Sequence, residues 1–265
     1  MKRVRIVVCL VVMVLELSPA FSSGFILRNN DHLDVTYHFE FDTGVLWDSS
    51  SADVRGGAIG CAYINDYATL NVLNYGTSGT SVGYAYAYNN SIVNLLDGGI
   101  SAFQAWNSST VNISGGSIMY SGSEAHDSST VNITGGSITG YLQVWESSTL
   151  NISGGSITGN YLAVLGNSIT NISGGSVDGL LYAHESSTVI FNGYDFELGN
   201  GLFWDIGGQT ILGTGILKGK WFDNTNFEID IYTHESAATI MAIPEPATIL
   251  LLSLGGLFLR KRSGK

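Results

Sequence analysis

Through the middle of the chain, apolar and polar residues alternate in short bursts separated by small residues. In the segment that begins at Thr110, Val111 and Ile113 alternate with Thr110, Asn112 and Ser114, the period of two that marks a half-buried strand. Gly115 and Gly116 follow, and a glycine pair after a strand predicts a tight corner with positive φ. Ile118 opens a second short strand, and segments such as Tyr141 to Trp145 and Tyr161 to Leu165 supply a third. Helical periodicity is nearly absent before the C-terminal tail, and the many β-branched residues agree with strands.

The pattern then recurs. The eleven residues from Ser108 to Ile118 return almost unchanged as Ser128 to Ile138 and as Ser147 to Ile157, and a drifted copy runs from Asn167 to Val177. The matching asparagines, Asn112, Asn132, Asn151 and Asn171, lie 20, 19 and 20 residues apart. A period of about 20 residues signals a solenoid. Weaker copies extend the array upstream through Asn90 to Ile100, Tyr67 to Asn71 and Trp47 to Ser50, and downstream through Ser186 to Ile190, which His234 to Ile240 echoes. The expected fold is all-β, a single-stranded parallel β-helix of roughly eight or nine turns over residues 25–241, with three short strands per rung. Equivalent residues then stack about 4.8 Å apart. Val111, Val131, Leu150 and Val189 form one apolar column, Ile113, Ile133, Ile152 and Ile172 a second, and Ile118, Ile138, Ile157 and Val177 a third. Phe25 to Val45 and Asn192 to Tyr232 are less repetitive and are expected to cap the ends. A β-sandwich also uses short strands and Gly-rich turns, but near-identical units in a fixed frame favour the solenoid.

Composition acquires a cause in this frame. Only 12% of the 265 residues are charged, because a repeated Lys or Glu places like charges one rung apart, whereas Ser, Thr and Asn can hydrogen-bond along the stack. Of eleven basic residues, three lie at Lys2, Arg3 and Arg5 and four at Arg260, Lys261, Arg262 and Lys265. Between the ends, four basic residues face twenty acids, a net charge of −16. Such a surface repels phosphate backbones, so nucleic acid is excluded as a partner.

The two ends read as addresses. Residues 1–24 carry a basic start, an apolar run from Ile6 to Leu15 and the small-x-small sequence Ser18-Pro-Ala20, the pattern of a cleaved secretory signal. Cys9 lies within it, which leaves Cys61 alone in the exported chain, so no internal disulfide and no Cys/His zinc spacing is expected. Residues 242–265 contain Pro244-Glu245-Pro246, an apolar stretch from Ala247 to Leu259, then Arg260, Lys261 and Arg262. Thirteen helical residues rise about 20 Å, so the stretch is expected to form a short hydrophobic membrane helix held on the cytoplasmic side by its basic cluster.

This tripartite ending resembles the PEP-CTERM sorting signal of Gram-negative bacteria. The resemblance implies transient inner-membrane anchoring by the tail, recognition and cleavage by an exosortase, a membrane cysteine protease, and delivery to the cell surface or its exopolysaccharide matrix. It assigns recognition to Pro244, Glu245 and Pro246, and the stop signal to Arg260, Lys261 and Arg262. The repeats resemble those of autotransporter passengers and adhesin-like proteins, without the large C-terminal membrane barrel.

Chemistry is sparse. Tyr88, Trp106, His126, Trp145, Leu165 and His184 all fall just before the Asn/Asp/Glu-Ser corner, and the aromatic members offer a candidate carbohydrate-contact column, since such rings pair an apolar face with hydrogen-bonding capacity. The plainer reading is that these rings shield the core. His126 and His184 lie three rungs apart, about 14 Å, and so cannot share a metal ion. Asp127, Glu146 and Glu185 offer at most a loose Ca²⁺ site, lacking any recognised calcium motif. No constellation of paired acid and base with a nearby cation is evident, so neither catalysis nor a cofactor is expected, and a polysaccharide-cleaving β-helix enzyme ranks last. The Asn-x-Ser/Thr triplets are read as a ladder rather than as glycosylation sites. The expected role is structural or adhesin-like within an exopolysaccharide matrix. Ice binding is the alternative, through Thr110, Thr130, Thr149 and Thr188, a column that Ile169 interrupts.

Overall fold

A computed structural model of the protein describes residues 24–36, 40–73, 81–120, 122–205, 210–233 and 238–243. The expected signal up to residue 23 and the tail from Pro244, including its hydrophobic helix, lie outside the described residues. Within them the chain forms twenty-six strands and no helix.

The strands wind as a β-solenoid in which each rung pairs in parallel with the next. Thr110–Ile113 aligns with Thr130–Ile133, which aligns with Thr149 to Ile152, so Thr sits on Thr, Val on Val or Leu, Asn on Asn and Ile on Ile. Nine equivalent corners carry a left-handed residue with φ between 57° and 70°: Asn29, Asp48, Asp66, Asn89, Asn107, Asp127, Glu146, Gly166 and Glu185. Their spacing of 18 to 23 residues encloses eight complete turns.

That corner is not the glycine corner anticipated from sequence, and its acids have a structural reason to be there. The side chain one rung up accepts a hydrogen bond from the backbone N–H of the left-handed residue below: Asp48 from Asn29 at 2.9 Å, Asp127 from Asn107 at 2.9 Å, Glu146 from Asp127, and Glu185 from Gly166 at 2.6 Å. Asn and Asp tolerate the left-handed region better than most residues, and here they also satisfy an otherwise open donor. At the second corner the two glycines divide the work. A Cβ on Gly115 falls 2.1 Å from the Leu96 carbonyl oxygen, so that position needs the close approach of backbones, whereas Gly116 supplies a φ of +67°.

Inside, the anticipated columns of Val111 and Ile113 are fully buried, and burial of each such side chain is worth about 1.5–3 kcal/mol. A bulky Phe103 is accommodated because Ser123 stands above it and Ala85 below in the same inward column. Two residues past seven of the nine left-handed corners a serine turns inward: Ser50, Ser91, Ser109, Ser129, Ser148, Ser168 and Ser187 are all buried. Ser168 Oγ donates to the Leu165 carbonyl at 2.6 Å and lies 3.1 Å from the Val144 carbonyl, whereas the hydroxyls of Ser91, Ser109, Ser129 and Ser187 have no hydrogen-bond partner.

Outside, the expected asparagine ladder is continuous. Asn171 donates to Asn151, Asn151 to Asn132, Asn132 to Asn112, Asn112 to Asn94 and Asn94 to Asn71, each at 2.8 or 2.9 Å. Asn71 then donates to Asp53 at 2.7 Å. A carboxylate has only acceptors, so it ends a chain of donating amides and fixes the direction of all of them.

Two expected caps need correction. Gly24–Leu27 pairs with Thr43 to Leu46 and His32–Thr36 pairs with Ser51–Arg55, so Phe25 to Val45 belongs to the first turn of the solenoid. The alternation of Leu33 and Val35 with polar neighbours was the legible signal, hidden because the glycine pair is missing. At the other end the chain leaves the coil after Asn192, folds back on itself in antiparallel strands Tyr194–Leu198, Leu202–Trp204, Thr210–Gly213 and Gly215–Lys220, and rejoins it. Ile231 to Thr233 pairs with Leu181 to Ala183, and Thr239–Ile243 pairs with Thr188–Asn192. Only the insertion is a cap. It is pinned by buried Trp221, whose ring stacks on Phe227 at 4.0 Å and whose indole N–H donates to the Gly175 carbonyl at 2.9 Å.

Candidate functional site

The third strand of each rung builds a face unlike the other two. Outward positions alternate along these strands, so three columns of side chains stand side by side on it. The corner column contains all five residues anticipated from sequence, Tyr88, Trp106, His126, Trp145 and His184, together with Trp47 and Leu165. The middle column runs through Tyr63, Tyr86, Gln104, Glu124, Gln143, Ala163, Tyr182 and Tyr232. The far column contributes Tyr84, Tyr141 and Tyr161. The two further columns were missed because the tyrosines lie two and four residues before the corner column and recur irregularly; reading period two backward from Tyr88 and its equivalents recovers them.

Flat side chains here stack like plates. Trp106 and His126 are 3.9 Å apart and within 6° of parallel, and His126 and Trp145 are 6.3 Å apart and within 4°. His184 does not join this column, because Leu165 intervenes; it stacks on Tyr182 at 5.7 Å, which stacks on Tyr232 at 5.5 Å. Tyr63 lies on Tyr86 at 5.0 Å and Tyr141 on Tyr161 at 5.2 Å. Stacking turns ring faces toward one another and leaves ring edges at the surface.

Hydrogen bonds hold the plates in register. Glu124 accepts from Gln104 at 3.2 Å and lies 3.2 Å from His126 Nε2. Trp145 Nε1 donates to Gln143, which donates in turn to the Tyr161 hydroxyl at 3.1 Å. Burial raises the Tyr86, Tyr88 and Tyr141 phenols above the ordinary tyrosine range, with lesser contributions from neighbouring acidic groups and tyrosines, so they stay neutral donors.

The corner stack of Trp106, His126 and Trp145 ends at Leu165, the middle column narrows there from Gln143 to Ala163, and a hollow of about 410 Å³ opens above these two small or aliphatic residues. Gln143 and Trp145 form one wall, Leu180 and Tyr182 the other, and no charged residue lines it. Its volume is that of a small-molecule pocket. Here ring faces, and not only edges, border open space.

The other candidate chemistry is already committed. The corner acids Asp127, Glu146 and Glu185 are the rung-to-rung acceptors described above. His32, Asp34 and Asp53 converge within 4.8 Å as three potential metal ligands on the first turn. Arg55 sits among them, with Nη2 2.6 Å from Asp53 and Nε 3.2 Å from Asp34, so a guanidinium supplies the positive charge at that place. The threonine column weighed for ice binding is three residues long, Thr110, Thr130 and Thr149, bounded by Ile92 and Ile169. Beside it the asparagines spend their amides on one another.

Pro244, Glu245, Pro246, Arg260, Lys261 and Arg262, expected from sequence to carry the sorting signal, lie outside the described residues, beyond the last strand, Thr239–Ile243. No curated protein and no solved structure matches the chain. A family model does match its end: residues 242–263 fit the PEP-CTERM protein-sorting motif. The chain is thus a β-solenoid carrying a PEP-CTERM motif, a recognition signal for exosortase processing that marks an exported protein sorted to the cell surface.

Proposed function

We propose that the protein is a non-catalytic, adhesin-like or structural component of the exopolysaccharide matrix of a Gram-negative bacterium, and that it holds neutral polysaccharide on its aromatic face. Residues 1–24 direct export and are removed; the tail anchors the precursor until exosortase cleaves it. The observation that carries the binding role is the hollow at Ala163 and Leu165, where the corner stack of Trp106, His126 and Trp145 ends. Sugars bind aromatic side chains through ring faces, and stacked rings hide theirs, so a hollow bordered by Trp145 in one column and Tyr182 in the next offers ring faces that a pyranose can approach. Two rungs separate Gln143 from Tyr182, about 9.6 Å, which leaves a ring placed between them about 4.8 Å from either neighbour. The hollow is uncharged while the body is strongly acidic, which favours a neutral chain over an anionic one.

Co-sedimentation with the producing organism's own exopolysaccharide tests this. Ala163→Tyr fills the hollow with a ring and is expected to weaken binding tenfold or more, as is Trp145→Ala, while Thr130→Ala, in the threonine column, leaves it unchanged. No binding by the wild-type chain, or equal binding by Ala163→Tyr, would overturn the reading.

A further inference from the structure

The two ends of the coil are finished differently. At the C-terminal end the insertion leaves two edge strands, and both are blunted: Leu202–Trp204 is three residues long, and Tyr194–Leu198 carries a register shift and exposes Asp195 and Glu197. Short, bulged and charged edges keep a sheet from recruiting another chain. At the N-terminal end the strands Gly24–Leu27 and His32–Thr36 run in unbroken register with Thr43 to Leu46 and Ser51–Arg55. The Leu27 carbonyl accepts from Trp47 at 3.0 Å and the Asp31 carbonyl from Ser51 at 2.9 Å. Successive residues of a strand turn their main-chain groups to opposite sides, so the N–H and C=O groups of Ile26, His32 and Asp34 face out of the end of the coil.

The core is unfinished at the same end. Leu33 points inward yet is only half-buried, whereas Ala52, Leu70 and Val93, stacked on it in succession, are fully buried. Phe25 and Phe41, packed edge to face at 5.0 Å, are likewise only partly covered, and Ile26 is 64% exposed. One more layer of strand would cover these side chains and pair the open main-chain groups. Removal of residues 1–24 as a signal takes away the chain that precedes Phe25, so on that reading the layer comes from another molecule.

We propose that a second copy of this chain supplies it: two processed molecules join head to head, their His32–Thr36 strands pairing antiparallel about a two-fold axis at Leu33. Such a contact is self-complementary and closed. His32 then stands opposite Asp34 of the second copy as a hydrogen-bonded pair, built from the main-chain groups that face out of the coil, and the two Leu33 side chains meet over the ends of both cores. This register sets an imidazole against a carboxylate, whereas a shift by two residues would set Asp34 against its own copy, a like-charge pair. The contact rests on the export reading and is independent of carbohydrate binding. It turns the two C-terminal ends away from one another and gives one particle two aromatic faces, and paired sites raise avidity for any long ligand they hold.

The chain released by the producing cells tests the contact. Its intact mass comes first: a chain that retains residues 1–20 overturns the export reading, and the inference with it. Sedimentation of the processed chain at high micromolar concentration is expected to give twice the chain mass. Asp34→Pro removes an N–H that faces the open edge, where proline is tolerated, and should give a folded monomer. Should that variant fail to fold, cysteine pairing decides. In a Cys61→Ser background, mixing His32→Cys with Asp34→Cys chains under oxidising glutathione should yield a covalent heterodimer that neither forms by itself. Directly opposite residues lie about 5.5 Å apart between Cα atoms, within disulfide reach, while each cysteine meets its own copy only diagonally, beyond about 7 Å. A monomeric wild-type chain, a dimer that persists in folded Asp34→Pro, or covalent dimers of either cysteine variant alone would overturn the proposal.

Discussion

The rungs between Trp106 and Ile157 and the rung between Tyr161 and Val177 occupy neighbouring places in one coil, yet they obey different rules. In the first group the strand that follows each left-handed corner repeats the residue type above and below it, Thr on Thr, Val on Val or Leu, Asn on Asn and Ile on Ile. The later rung keeps what the stack cannot do without: Asn171 in the ladder, Ile172 and Val177 in the core, and the pair Gly174 and Gly175 at the corner. It departs at Ala163, Leu165, Gly166, Ile169 and Thr170. Two of these departures, Ala163 and Leu165, open the hollow. Another two, Ile169 and Thr170, transpose the usual Thr-Val order, so that Ile169 is 42% exposed while Thr170 is fully buried with no hydrogen-bond partner for its hydroxyl. Drift has collected where a rung tolerates a mismatch with its neighbours and is absent where backbone contact or an amide chain forbids one.

The sharpest way to break the regular pattern is therefore at a position that both groups share. A Cβ on Gly135 falls 2.4 Å from the Ser114 carbonyl oxygen, and on Gly174 2.4 Å from that of Ser153. The obstacle is backbone belonging to the rung below, which cannot move without disturbing the rung beneath it. Gly135→Ala and Gly174→Ala are each expected to destabilise by about 3 kcal/mol or more, as strained backbone sites do. Denaturant titration checks this, and a loss under 1 kcal/mol in either would show that the stack is looser than the register implies.

Sequence carried the fold because a repeat multiplies weak evidence. One Thr-Val-Asn-Ile segment is ambiguous, whereas four in a fixed frame determine strand direction, register and the inward columns together. The first turn was misread as a cap because Leu33 and Val35 alternate without a glycine pair to announce them. The end was half misread because a 33-residue excursion between Asn192 and Asn226 interrupts a rung that resumes at Asn226–Thr233. The site was legible only in part. The corner column was visible, but the hollow at Ala163 is the absence of a side chain, and an absence becomes a feature only after the neighbouring rungs are aligned on it.

Restoring the drifted rung should reverse its smaller cost. The double variant Ile169→Thr/Thr170→Val places the hydroxyl outside and the apolar side chain within, as in every other copy from Thr110 onward. Removing a buried, unsatisfied hydroxyl is worth about 1–3 kcal/mol. For a body of this size each kcal/mol moves Tm by about 2–4 °C. A rise of several degrees by calorimetry is expected, with the Ala163 hollow and its binding unchanged, since neither residue lines it. A lower Tm would mean that the transposition is adapted to its neighbours rather than tolerated by them.

The finest distinction concerns the corner acids, which cap both kinds of rung. Glu146 receives the N–H of Asp127 and Glu185 that of Gly166, and both carboxylates are about half exposed. Replacing either by Ala keeps a Cβ in the same left-handed position, so the backbone penalty largely cancels and the lost hydrogen bond dominates. Solvent competes for an exposed donor, so a loss of only about 0.5–1 kcal/mol is expected for Glu146→Ala and for Glu185→Ala. Gln retains the acceptor without the charge, and Glu146→Gln should keep more than half of what Ala loses, because the body around it is already acidic and gains little from another carboxylate. Amide exchange at Asp127 and Gly166 reads the cap directly: faster exchange in the Ala variants with near-native exchange in the Gln variants supports a hydrogen-bonding role. Equal effects of Gln and Ala would place the benefit in the charge instead.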